Sequence, residues 1–153
     1  MANGNIDILL VEDDPMDVRL MLRALAGGPA EGHVEVVRDG EEALDYLFRR
    51  GAFSSRPEGE RPKLILLDLK LPKVDGLKVL GEVKNDHRTC AIPVAVLTSS
   101  REEKDLARSY RLGANSYLQK PFDLNELQET IRTVERYWIE LNQSPPDLAF
   151  SSN

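Results

Sequence analysis

Five side chains able to handle a metal ion or a phosphoryl group each follow a short apolar run. Glu12 and Asp13 follow Ile6-Asp7-Ile8-Leu9-Leu10-Val11, and Asp68 follows Lys63-Leu64-Ile65-Leu66-Leu67. Thr98 closes Pro93-Val94-Ala95-Val96-Leu97, and Lys120 lies just beyond Ser116-Tyr117-Leu118. Carboxylates brought together repel: two unit charges 4 Å apart cost roughly 4 kcal/mol at an effective dielectric of about 20. A hard divalent cation offsets that repulsion, and oxygen ligands with room for water suit Mg²⁺. A carboxylate oxygen can attack phosphorus, a metal and an ammonium absorb charge on the transferring group, and a hydroxyl bonds a phosphoryl oxygen. Taken singly, each residue has an ordinary explanation. An Asp after a strand often caps a helix, and a Thr or Lys there often meets only water. The combination is informative because the residues occupy the same end of four different runs.

The elements that must position them alternate along the chain. The Ile6–Val11 run is nearly continuous in apolar residues, as a strand buried on both faces should be. Asp14 then reads as a helix cap with Pro15 as first helical residue, and Val18, Met21, Leu22 and Leu25 follow at helical spacing. Val34–Val37 predicts a second strand, with a helix through Ala43, Leu44, Leu47 and Phe48. GAFSSRPEGERP, residues 51–62, has no apolar period and predicts a surface loop. A third helix follows Asp75-Gly76, and a weakly amphipathic fourth spans 101–112, with Ala107 and Tyr110 as its inward candidates. The last helix is expected over about 123–142, with residues 143–153 as a flexible tail after Ser144-Pro145-Pro146. Five strand–helix units in alternation predict an α/β domain whose parallel sheet is covered on both faces. Such sheets bind ligands outside the carboxyl ends of their strands. The acids, the hydroxyl and the lysine all fall at that edge.

Composition narrows the classes. The 153 residues suit about one domain. Twenty Lys and Arg against 26 Asp and Glu give a net charge of −6, which disfavours a general nucleic-acid partner. No apolar run approaches the roughly 20 residues of a membrane helix, and the start lacks a secretory pattern. A cytoplasmic protein with no nucleic-acid or membrane partner is expected. The single cysteine, Cys90, allows no intramolecular disulfide and no multi-thiolate metal site. A dinucleotide site is disfavoured because acids, not Gly-x-Gly-x-x-Gly, follow the first strand. A phosphatase of the haloacid-dehalogenase type needs its nucleophile and a second acid two residues later after the first strand. Here three acids are contiguous there, and residue 70 is lysine.

Leu9-Leu10-Val11-Glu12-Asp13-Asp14, Leu66-Leu67-Asp68-Leu69-Lys70-Leu71-Pro72 with Asp75-Gly76, Val96-Leu97-Thr98-Ser99-Ser100 and Tyr117-Leu118-Gln119-Lys120-Pro121-Phe122 resemble the receiver domain of two-component response regulators. The resemblance runs from about Ile6 to Leu141. It implies a flavodoxin-like (βα)₅ three-layer sandwich with sheet order 2-1-3-4-5. It implies that Asp68 is the phosphoacceptor, receiving its group from a sensor histidine kinase. Glu12, Asp13, Asp68 and the backbone carbonyl of Lys70 would hold Mg²⁺, Glu12 mainly through water. Lys120 would pair with Asp68 and then with the phosphoryl group, Thr98 would swing in to bond it, and Tyr117 would follow. A cis peptide is implied at Lys120-Pro121. Glu12 stands where the family more often has aspartate. Such a domain signals by accepting a phosphoryl group; it is not an enzyme of metabolism. A receiver domain over 6–142 is expected, and the 33 residues after Lys120 leave no room for an effector module. Leu124, Leu127, Ile131, Val134, Trp138 and Leu141 recur at spacings of 3 and 4, the rhythm of a helix seam or of a core face. A homodimer through the fourth helix, fifth strand and fifth helix is expected, with Tyr137, Trp138 and Leu141 as contacts. The long loop and C-terminal extension look like a subgroup of single-domain regulators that serve phytochrome-type kinases.

Overall fold

Alternate residues of a strand point to opposite faces of its sheet, and here both faces are apolar. The computed structural model describes residues 5–151. Its strands are β1 (Ile8–Val11), β2 (Val34–Val37), β3 (Leu64–Leu67), β4 (Val94–Thr98) and β5 (Ser116–Gln119). They form one parallel sheet in the order β2-β1-β3-β4-β5, with Val11 opposite both Val37 and Leu67. Ile8, Leu10, Leu64, Leu66, Ala95 and Leu97 face one apolar layer; Leu9, Val11, Ile65, Leu67, Val94 and Val96 face the other. The helices α1 (Pro15–Leu25) and α5 (Leu124–Glu135) cover the first layer with Met21, Ala24, Leu25, Leu127, Ile131 and Val134. The helices α2 (Gly40–Leu47) and α3 (Gly76–Lys84) cover the second, with α4 (Glu103–Leu112) against α3. This is the three-layer α/β architecture and strand order expected.

Caps fix where the helices begin, and so where the sheet edge is left open. Asp14, with Pro15 behind it, accepts from the Met16 and Asp17 amides at 2.9 and 3.3 Å. Asp75 accepts from the Lys78 amide at 3.0 Å, and Asp123 from Asn125 and Glu126 at 2.7 and 3.1 Å. These acids satisfy orphan amide groups.

Five expectations are corrected. In α4, Ala107 and Tyr110 are exposed while Ser109 is the buried residue: the Leu106, Ala107 and Tyr110 stripe is there but faces outward, and periodicity alone does not say whether a stripe faces the sheet or the surface. The final helix is not uniform: it is α-helical to Glu135 and widens to a π-helix over Arg136–Leu141, where the Asn142 amide reaches the Tyr137 carbonyl at 2.7 Å. Trp138 is half-buried against the α1/α5 layer, whereas a Trp138 without a covering surface was expected. The segment expected to be a flexible tail carries a 3₁₀ turn at Asp147–Phe150. Its Phe150 packs on the core under the Arg61 guanidinium, 3.6 Å from the ring centre, while Arg61 bonds Asp147 at 2.6 Å. Finally, no peptide bond among the described residues is cis, Lys120-Pro121 included. Trans is the lower-energy form, and the Lys120 amide is held by the Thr98 carbonyl at 2.8 Å, which already aims the residue at the cleft. The 51–62 loop is at the surface as expected but tethered: Phe53 meets Tyr46 edge-on at 5.1 Å, and Arg56 stacks 3.8 Å over the same ring.

Candidate functional site

An acidic cleft of about 560 Å³ opens at the carboxyl edge of the sheet, lined by Glu12, Asp13, Asp14, Asp17, Asp68, Lys70, Ser99 and Lys120 among others. It sits where β1 and β3 end side by side, the point at which the strand order reverses. Oxygens of Glu12, Asp13 and Asp68 lie within 4.8 Å of one another. Glu12 and Asp68 are buried and Asp13 is exposed, so the group has a dry floor and an open side. The Lys120 ammonium is the counter-charge: it lies 2.7 Å from Glu12 Oε1, 2.8 Å from Asp17 Oδ2 and 3.0 Å from Asp68 Oδ2.

The electrostatics follow from crowding. Glu12 is pushed up to about 7, first by burial and then by the Asp68 charge, with Lys120 and the Asp14 amide opposing. Burial works against the charge on Lys120, but hydrogen bonds to Asp17 and Glu12 outweigh it and raise its pKa. Five carboxylates against the two ammonium groups of Lys70 and Lys120 leave a surplus of negative charge. A closed set of hard oxygen donors with one exposed member fits a divalent cation in its donor chemistry.

The remaining predicted residues gather at the same edge with less direct access. Thr98 ends β4, fully buried, with its hydroxyl accepting from the Ser100 amide at 3.3 Å. Ser99 beside it lines the cleft. Lys70 is exposed at the cleft wall, and its amide donates to Asp68 Oδ1 at 3.2 Å. Tyr117 lies on β5 opposite Val96, with a buried hydroxyl that meets no partner at hydrogen-bonding geometry. Burial raises its pKa, and Ser100 acts in the opposite sense. Tyr137, Trp138 and Leu141 lie in the π-helical segment, away from the cleft lining. Asp17 was not anticipated. Its one sequence signal was an acid in the first turn of a helix, which reads as support for the helix dipole.

Over residues 8–132 the chain matches the model of the response regulator receiver domain. It belongs to that family. It is 44% identical over 139 residues, 90% of this chain and 86% of the other, to the probable methanogenesis regulatory protein FilR2 of Methanothrix harundinacea. It is 41% identical over 133 residues, 87% of this chain and 88% of the other, to the response regulator Rcp1 of Synechocystis sp.. Its structure is similar to that of the phosphorylated cyanobacterial phytochrome response regulator RcpA, with a TM-score of 0.86 and 41% identity over 93% of this chain and 99% of that one. It is also similar to the Mn(2+)-bound form of Rcp1, with a TM-score of 0.83 and 40% identity over 92% and 99%. The family defines the chain as a receiver of two-component signalling, with an acidic pocket for a divalent metal.

Proposed function

We propose that Asp68 accepts a phosphoryl group from a sensor histidine kinase and that the domain over residues 6–142 signals through its own surface. The observation that carries this reading is the Lys120 ammonium held at 3.0 Å from Asp68 inside a group of carboxylates suited to a cation. An Asp68 oxygen attacks phosphorus; the new O–P bond forms as the N–P bond to the kinase histidine breaks, and that nitrogen recovers a proton. Mg²⁺, held by Glu12, Asp13, Asp68 and the Lys70 carbonyl, would supply charge neutralisation for the transferring group. Lys120 passes a hydrogen bond from Asp68 to a phosphoryl oxygen. Thr98 turns its hydroxyl toward the same group, and Tyr117 moves into the space released. The chain acts as a signalling domain that carries its own phosphoryl chemistry, not as a metabolic enzyme, and works in the cytoplasm.

The kinase is of the phytochrome class, a reading supported by the similarity to RcpA and by 50% identity over 90% of this chain to the bacteriophytochrome response regulator AtBRR. Output runs through a homodimer in which Tyr137 and Leu141, 49% and 60% exposed, are the contacts and Trp138 supports them from the half-buried side.

Incubation with Mg²⁺ and acetyl phosphate tests the central claim. The intact mass should rise by about 80 Da, one phosphoryl group, and Asp68→Asn should abolish the gain. No gain by the wild-type chain, or turnover of many phosphate esters, would refute it.

A further inference from the structure

A lysine ammonium has three N–H donors, and those of Lys120 are matched by three acceptors: Glu12 at 2.7 Å, Asp17 at 2.8 Å and Asp68 at 3.0 Å. The three acceptors are not equivalent. Glu12 and Asp68 belong with Asp13 to the group whose oxygens lie within 4.8 Å and can hold a cation. Asp17 stands outside that group. Of the three carboxylates that touch the ammonium, Asp17 alone has no part in the cation site.

We propose that Asp17 is a positioning residue for Lys120, the tether that keeps the ammonium at the cleft when Glu12 and Asp68 turn their oxygens to a metal. The inference rests on the phosphoryl-acceptor reading and adds a residue to it. Asp17 is well placed for the task. It sits in the first turn of α1, where its own amide is held by the Asp14 cap at 3.3 Å, so its carboxylate projects from a fixed helix start. Lys120 arrives from the far end of the chain, 103 residues away, on a long stem with four rotatable bonds. A cation that draws on Glu12 and Asp68 weakens two of its three anchors. The hydrogen bond to Asp17 persists, and the donor now on Asp68 is left to pass to a phosphoryl oxygen.

Phosphorylation by acetyl phosphate, followed by intact mass across a Mg²⁺ series, separates a tether from a metal ligand. Loss of one charge-assisted hydrogen bond corresponds to about tenfold or more in rate. Asp17→Ala should slow phosphorylation at saturating Mg²⁺ by about that factor, with the half-saturating Mg²⁺ concentration unchanged. Asp17→Asn, nearly isosteric and still an acceptor, should fall between it and wild type, and decides the matter if the alanine variant does not fold. A wild-type rate in the asparagine variant, or a loss seen only as a higher Mg²⁺ requirement, would overturn the tether. A second readout needs no turnover. The Lys120 ammonium resonance, assigned by its disappearance in Lys120→Arg, should survive Mg²⁺ addition in the wild type and broaden away in Asp17→Asn. Survival in both, or loss in both, would also overturn it. A wild-type chain that gains no phosphoryl group would instead sink the acceptor reading itself.

Discussion

Gly76 and Gly81 stand five residues apart in the same helix, yet a single added methyl should have opposite effects at the two. At Gly76 a Cβ would lie 2.4 Å from the Asp68 carbonyl oxygen and 2.5 Å from Leu69 Cα. Ordinary C···O contacts start at about 3.3 Å, so the overlap is about 0.9 Å. Both opposing atoms are backbone, and the Gly76 amide is bonded to the Leu69 carbonyl at 2.9 Å, so no side chain can rotate away to relieve it. Overpacking of this kind costs about 1–3 kcal/mol, and a catalytic group displaced by about 1 Å loses about 100-fold in rate. At Gly81 the new methyl meets only Leu112 Cδ2 at 3.7 Å, an ordinary contact. There the gain in helix propensity should stabilise the fold by about 0.5–1 kcal/mol. Each kcal/mol moves the melting temperature of a chain this size by about 2–4 °C. Gly76→Ala should therefore melt several degrees below wild type and phosphorylate Asp68 about 100-fold more slowly. Gly81→Ala should melt slightly above wild type at an unchanged rate. Thermal melts and timed mass spectra with acetyl phosphate measure both. A Gly76→Ala protein that melts and phosphorylates like wild type would refute the claim that this close approach sets the position of the acceptor.

Two further outcomes are expected. Leu141→Glu should dissociate the proposed dimer in sedimentation while the protomer stays folded, since Leu141 is 60% exposed on the protomer, whereas Trp138→Glu should also destabilise the half-buried end of the helix within the protomer; an unchanged sedimenting species in the first variant counts against that dimer. Asp86 is held to about 2, below its ordinary 3.8, chiefly by the Arg88 side chain, which bonds it at 3.0 and 2.8 Å. A depressed pKa means that this stabilisation is complete above about pH 4 and fades as pH falls toward 2. Arg88→Gln should then melt lower than wild type at pH 6, by under about 1 kcal/mol for so exposed a pair, with the gap closing at pH 2.5. An equal gap at both values would show that Arg88 acts through something other than Asp86.

Much of the site was legible because its parts are strand ends. An apolar run that stops at an acid, a threonine or a lysine marks its own terminus, and parallel strands must present those termini together. Glu12, Asp13, Asp68 and Lys120 accordingly meet as expected. Asp14 could be separated from them as a cap because a helix start needs an acceptor there. The facing of α4 was not legible, because its Leu106, Ala107 and Tyr110 stripe looks outward and not toward the sheet, and neither was the docking of Phe150 beneath Arg61, a contact between distant segments.

The sequence by itself determined the alternation of elements, the edge at which the chemistry gathers and the residue types available there, since all three follow from local pattern and from the direction a parallel sheet imposes. Only the tertiary structure decided that Asp17 joins Glu12 and Asp68 around the Lys120 ammonium. Asp17 and Lys120 lie 103 residues apart, and nothing local to either announces the other. The same holds for the end of the last helix: a spacing of 3 and 4 is common to a buried face and to a partner seam, and packing against the α1/α5 layer, not periodicity, buried Trp138 by half and left Leu141 outside.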